Sequence, residues 1–254
     1  MSFNQSAADV LFIKGEHERA AKMYYEGARA GEAKAAFDYA HCLRFGYGVA
    51  KDLALAKSFY TYARDLEGGV SLYNLAIMYL NGEGVEQDLK KALRYMQDAA
   101  SESCVEAMLY LGMAYTTGYM LYPEIIGINM IPFHKPILRD TNEFLLMGDV
   151  AEAEADEERR FSVLSADARR AFEYFRAAAY HDPTYVEDLV AKGQYLYAKC
   201  YLDGMGTDFD RSKALTLMLV AGKSGSSDAV EYLESNGITH QMLLDAANDL
   251  KNRK

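Results

Sequence analysis

The side chains in this chain best suited to chemistry are five histidines, three cysteines and one short basic stretch. A metal or nucleophile site needs such groups at fixed offsets, such as two histidines four apart on one helix face or closely paired cysteines. His17, His41, His134, His181 and His240 show neither pattern. His41 adjoins Cys42, but Cys42 and Cys200 share one place in an internal repeat, filled by Met78 and Ala114 elsewhere, which predicts packing residues instead of a catalytic pair. His134, Lys135 and Arg139 are the one set able to form a polar centre for a small molecule, against the plainer role of capping a loop. The Gly-x-Gly stretches lack the strand-to-helix setting and the lysine and serine of a phosphate loop, so they read as turns. Glu152, Glu154, Asp156, Glu157 and Glu158 could attract a cation or a basic partner, against the plainer reading of a solvated helix face. No catalytic set, metal set or cofactor motif emerges, so the expectation is a non-enzyme with no cofactor.

The elements that carry these residues follow from composition and spacing. Half of the 254 residues are apolar and only 4 are proline, which suits a packed helical protein. Lys plus Arg number 27 against 37 Asp plus Glu, a formal charge of −10, which argues against nucleic acid or anionic lipid as the main partner. No signal-like N-terminus and no apolar run long enough for a membrane span is evident, and three scattered cysteines do not form a disulfide framework. The expected location is the cytoplasm, with signal-less export as an open alternative.

Glycine reveals a repeat. Gly46 in "FGYGV" recurs 36 residues on as Gly82 in "NGEGV", then as Gly118 in "TGYML", and again as Gly204 in "DGMGT". Six residues before each stand Ala40, Ala76, Gly112 and Ala198; nine before stand Phe37, Tyr73, Leu109 and Tyr195; three before stand Leu43, Tyr79, Tyr115 and Tyr201. That spacing describes one face of a helix, which the glycine ends by taking a positive φ. A second helix follows, anchored by alanine pairs seven apart: Ala56 and Ala63, Ala92 and Ala99, Ala171 and Ala178, Ala214 and Ala221. Four residues before each anchor stands Asp52, Asp88, Asp167 or Asp210, a natural N-cap. A lead-in copy keeps the alanine spacing at Ala21 and Ala28, with His17 in place of aspartate.

The fold predicted is all-α: a right-handed α-α superhelix of antiparallel helix pairs over a single domain, 1–254. It divides into a partial repeat (7–32), repeats at 33–69, 70–103, 104–182 and 190–224, and capping helices at 227–254, with Asp228–Asn236 helical, a break at Gly237 and a closing helix from Thr239. The third repeat differs. Its glycine-to-anchor distance is 53 residues (118 to 171) where the others have 10, so about 43 residues are inserted, within 121–166, and Met120 replaces the second glycine.

On these residues, "YNLAIMYLNGEGVEQDLKKALRYMQDAA" above all, the chain resembles the Sel1-like repeat family, relatives of the tetratricopeptide repeats. The resemblance implies an adaptor scaffold that binds proteins or peptides. Two candidate partner-binding surfaces follow. One is a stripe on the presumed concave face of the first helices, five and eight residues before each glycine: Asp38, His41, Asn74, Ile77, Tyr110, Met113, Leu196 and Lys199. The other is the apolar half of the insertion: Ile125, Ile126, Met130, Ile131, Phe133 and Leu138. The alternatives are a small-molecule site or enzyme between insertion and concave face, and a self-associating homo-oligomer.

Overall fold

The computed structural model describes residues 4–118, 120–121, 160–161, 166–182 and 187–238. The helices are α1 (Gln5–Ile13), α2 (His17–Arg29), α3 (Ala33–Phe45), α4 (Leu53–Asn81), α5 (Leu89–Ser101), α6 (Val105–Thr117), α7 (Ala168–Ala179), α8 (Glu187–Asp203), α9 (Arg211–Lys223) and α10 (Ser227–Ser235). The strands among the described residues are two residues each, β1 (Met120–Leu121) paired with β2 (Arg160–Phe161), so the class is all-α as predicted. Packing divides the chain into two compact units, Met1–Ala107 with Leu121–Val163 and Met108–Met120 with Leu164–Lys254.

Each hairpin is built by the same local chemistry. Gly46, Gly82, Gly118 and Gly204 end the first helices at φ between 66° and 79°, where a Cβ is unfavourable. Asp52, Asp88, Asp167 and Asp210 start the second helices; each carboxylate accepts from the N–H three residues on, at 2.9 to 3.0 Å. The anchor alanines of all four second helices are fully buried. Between each pair sits one large side chain with almost no exposure: Tyr60, Met96, Phe175 or Met218.

That large residue corrects the register of the lead-in copy. The equivalent side chain in α2 is Tyr24, buried to 1%, and the cap is Glu16. Counting back four and forward three from Tyr24 places the pair at Ala20 and Gly27, one residue earlier than the sequence spacing predicts. Both Ala20–Gly27 and Ala21–Ala28 are buried, which is why spacing alone does not separate them.

The boundary at 69/70 falls inside α4, which runs unbroken through the second helix of one hairpin and the first helix of the next. Gly68 sits there at φ +39°, and a Cβ on Gly69 would stand about 3.0 Å from the Ala99 carbonyl. At the C-terminal side α10 stops at a Gly237 turn, with Ile238 N–H donating to the Leu233 carbonyl, as predicted for that break. The closing helix from Thr239 lies outside the described residues.

The second connector glycine has a separate task. A Cβ on Gly84 would stand 2.5 Å from the Leu53 Cβ and 2.9 Å from its carbonyl carbon. Gly48 meets His17 and Gly206 meets Ala168 in the same way. Gly82 has a similar φ but no atom closer than 3.6 Å. Gly82→Ala is therefore expected to cost about 1 kcal/mol of stability through backbone strain alone. Gly84→Ala should cost about 1–3 kcal/mol more by overpacking, a difference that parallel urea melts would measure.

Candidate functional site

The predicted stripe is not an open surface. In the first unit Asp38, His41, Asn74 and Ile77 are 4%, 5%, 4% and 0% exposed, and in the second Tyr110, Met113 and Leu196 are 0%, 5% and 2%. Lys199 alone is half-exposed, its Nζ 4.0 Å from Asp203. Small residues on the adjacent face let neighbouring helices come close, and the stripe is enclosed with them. The insertion candidates Ile125, Ile126, Met130, Ile131, Phe133 and Leu138 lie outside the described residues, as do His134, Lys135, Arg139 and the acidic cluster from Glu152 to Glu158.

What the first unit brings together is a buried polar strut. Arg44, 1% exposed, donates from Nε to Glu83 Oε2 at 2.6 Å and from Nη1 to Asn74 Oδ1 at 3.1 Å. It also bonds the Tyr60 hydroxyl, which lies 3.2 Å from His41 Nδ1. Asn74 Nδ2 donates to the Val70 carbonyl and Asn81 Nδ2 to Glu83 Oε1. Beside this strut, Gln5 Nε2 of α1 donates to both Asp38 Oδ2 and Asp9 Oδ1 at 2.7 Å. Arg44 and Glu83 escape a reading limited to five and eight residues before the glycine. Continuing the three-residue step reaches Arg44, so the signal was present.

Burial by itself would raise the Glu83 carboxyl, yet the Arg44 hydrogen bond and charge outweigh it and hold the group below the ordinary carboxylate range. Burial pushes the Cys42 and Cys200 thiols up to about 12, with Asp38 and Asp203 reinforcing it, and Cys104 also rises chiefly through burial. Enclosed and disfavoured as thiolates, these cysteines pack the interior.

A second recurring pair closes the hairpins. Lys91 Nζ donates to the Tyr79 hydroxyl at 2.8 Å, and Lys213 Nζ to that of Tyr201 at 2.6 Å, each cation immediately before its anchor alanine. Arg170 and Tyr115 make the same pair at 3.1 Å across the insertion. Backbone closure is equally preserved: Asp167 N–H donates to the Tyr115 carbonyl at 2.8 Å, matching Asp52 to Leu43, Asp88 to Tyr79 and Asp210 to Tyr201 at 2.9 to 3.0 Å. The tyrosine–cation pair is thus a hairpin staple, and the third hairpin keeps it as the second and fourth do.

Residues 33–67, 69–104, 105–124, 161–183 and 191–226 match the Sel1 repeat family. The chain belongs to that family. Within Sel1 repeat proteins, a crystal structure from Oxalobacter formigenes superimposes with a TM-score of 0.61 at 20% identity, over 86% of this chain and 49% of that one, a likeness of fold. Two Arabidopsis thaliana proteins, the ERAD-associated E3 ubiquitin-protein ligase components HRD3B and HRD3A, are 31% and 28% identical over 101 and 86 residues. Those stretches cover 40% and 34% of this chain but only 17% and 13% of the relatives. Sel1 repeats form a family of non-catalytic scaffolds that mediate protein–protein interaction.

The strut predicts a pH signature. A depressed folded-state pKa gives stability that is present above the unfolded value, about 4.3 for glutamate, and lost as pH falls through the folded value. Glu83→Gln is expected to lower stability by about 1–3 kcal/mol at neutral pH. The gap to wild type should close by about pH 3, as urea unfolding at both pH values would show.

Proposed function

We propose that this Sel1 repeat protein is a non-catalytic adaptor in the cytoplasm that holds a protein or peptide partner, with the 121–166 insertion setting specificity. The third hairpin carries this reading: the bonds of its N-cap, its backbone closure and its tyrosine–cation staple all run between residues outside 121–166. A long segment set between two helices that already carry these bonds is a natural place for recognition. The apolar residues Ile125, Ile126, Met130, Ile131, Phe133 and Leu138 are the anchors we assign to it. The buried stripe acts from beneath, as the framework fixing the helices. The three free, buried cysteines suit a reducing compartment.

Replacing residues 119–166 by a five-residue glycine-containing connector, on the pattern of Glu83–Gln87, restores the usual step of 10 from glycine to anchor and is expected to leave the melting temperature within about 4 °C of wild type. Affinity purification from the native cell should then separate the two proteins, with a partner captured by wild type and lost with the shortened chain. Capture by both would move recognition to the repeats. Capture by neither, with both folded, would overturn the adaptor reading.

A further inference from the structure

We propose that the outer face of the first unit, on α2, the first half of α4 and α5, docks an acidic peptide segment bearing apolar side chains. This rests on the adaptor reading and adds a surface and a partner chemistry to it. In a chain of net charge −10, two of these helices run the other way: α2 carries Arg19, Lys22 and Arg29 against Glu18 and Glu26, and α5 carries Lys90, Lys91 and Arg94 against Asp98. Among the described residues, Lys22, Arg29, Lys57, Lys90 and Arg94 form no ion pair. In the second unit, by contrast, Arg169 and Arg176 are tied to Glu173 and Arg170 to Asp167.

Aromatic side chains lie between these cations. Tyr25 and Tyr62 are 40% and 45% exposed. Tyr25, Tyr39 and Phe59 form a row with ring centroids 5.1 and 5.0 Å apart, and Arg29 lies over Tyr25 at 5.9 Å. Further along, Lys57, Tyr79 and Lys90 line an open groove of ≈ 760 Å³. Glu86 and Asp88 also line it, but the Asp88 carboxylate is engaged in capping α5.

Cations with aromatics could also suit single-stranded nucleic acid, which needs open ring faces for base stacking. Here four of the five tyrosine rings already have a neighbour on them, and Tyr62 alone is open. Arg29 covers Tyr25, Lys91 covers Tyr79 at 4.1 Å, Arg94 covers Tyr95 at 5.7 Å, and Phe59 meets Tyr39 edge-on at 89°. Carboxylates can pair with the unpaired cations while a leucine or phenylalanine packs on the exposed ring edges, which is the chemistry of an acidic, apolar-studded peptide.

The test is fluorescence anisotropy with a short labelled peptide alternating glutamate, aspartate and leucine, and with labelled oligo-dT as the competing probe. The wild-type chain should bind the peptide, more weakly as salt rises. R29E/K57E/K90E, its neutral counterpart R29Q/K57Q/K90Q and Y25S/Y62S should each lose about tenfold or more in affinity while keeping their thermal melts. The surface assignment is overturned if folded variants bind like wild type, if the wild type ignores the peptide, or if oligo-dT binds as tightly. A cellular partner still captured by R29E/K57E/K90E would sink this surface and leave the adaptor reading standing.

Discussion

Two demands meet at the first residue of a second helix, at Leu53 and at Ala168, and the rest of the repeat is arranged around them. Within a hairpin, the preceding aspartate caps the free N–H groups with its carboxylate while its own N–H bonds a first-helix carbonyl. Between hairpins, the next connector lays its second glycine against that same residue: His17, Leu53 and Ala168 each lie under one. An uncapped helix N-terminus covered by the next connector would leave donors unsatisfied, and a side chain on the glycine would hold the next hairpin away. Closing one hairpin and stacking the next are therefore not independent steps. The fully buried alanines further along the helix extend that close approach over its two following turns.

This explains what the sequence can reveal. Glycine at a positive φ, aspartate at an N-cap and alanine at a close approach are each imposed by local geometry, so residue type and spacing identify them directly. Burial of the stripe is another matter. Whether Ile77 or Tyr110 meets solvent depends on what neighbouring segments cover, and a tyrosine or methionine is equally at home on a groove floor and in an interior. The one-residue register error in α2 has a similar cause, since adjacent alanines offer two spacings of seven and only the enclosed Tyr24 distinguishes them. Partner identity leaves no local trace at all.

The strut shows how the two units solve one packing problem differently. At stripe positions the first unit uses Asp38, His41 and Asn74 beside Ile77, with Arg44 bonded to Asn74 and, through Tyr60, to His41, where the second uses Tyr110, Met113 and Leu196. Apolar side chains in such a place gain stability with little demand on geometry. A buried arginine tolerates few arrangements, because each lost partner leaves a charge out of water. The polar version accordingly fixes the pairing of α3 with the second half of α4: Arg44 on one helix needs Asn74 on the other, and Glu83 just beyond it. It contributes specificity of packing more than net stability.

The interrupted hairpin is where these constraints leave freedom. Its connector is roughly five times the usual length from glycine to anchor, and a free loop of that size would add only about 1.5 kcal/mol of closure entropy. Against that stand a capped helix, a backbone bond and a tyrosine–arginine pair at ordinary distances, which hold the two helices together from outside the loop. The second glycine is absent there, replaced by the buried Met120, at the point where the chain departs. A connector is thus the one place in the repeat where length can change greatly while the bonds that define the fold stay the same, and additions there can be selected for what they bind instead of for how they fold.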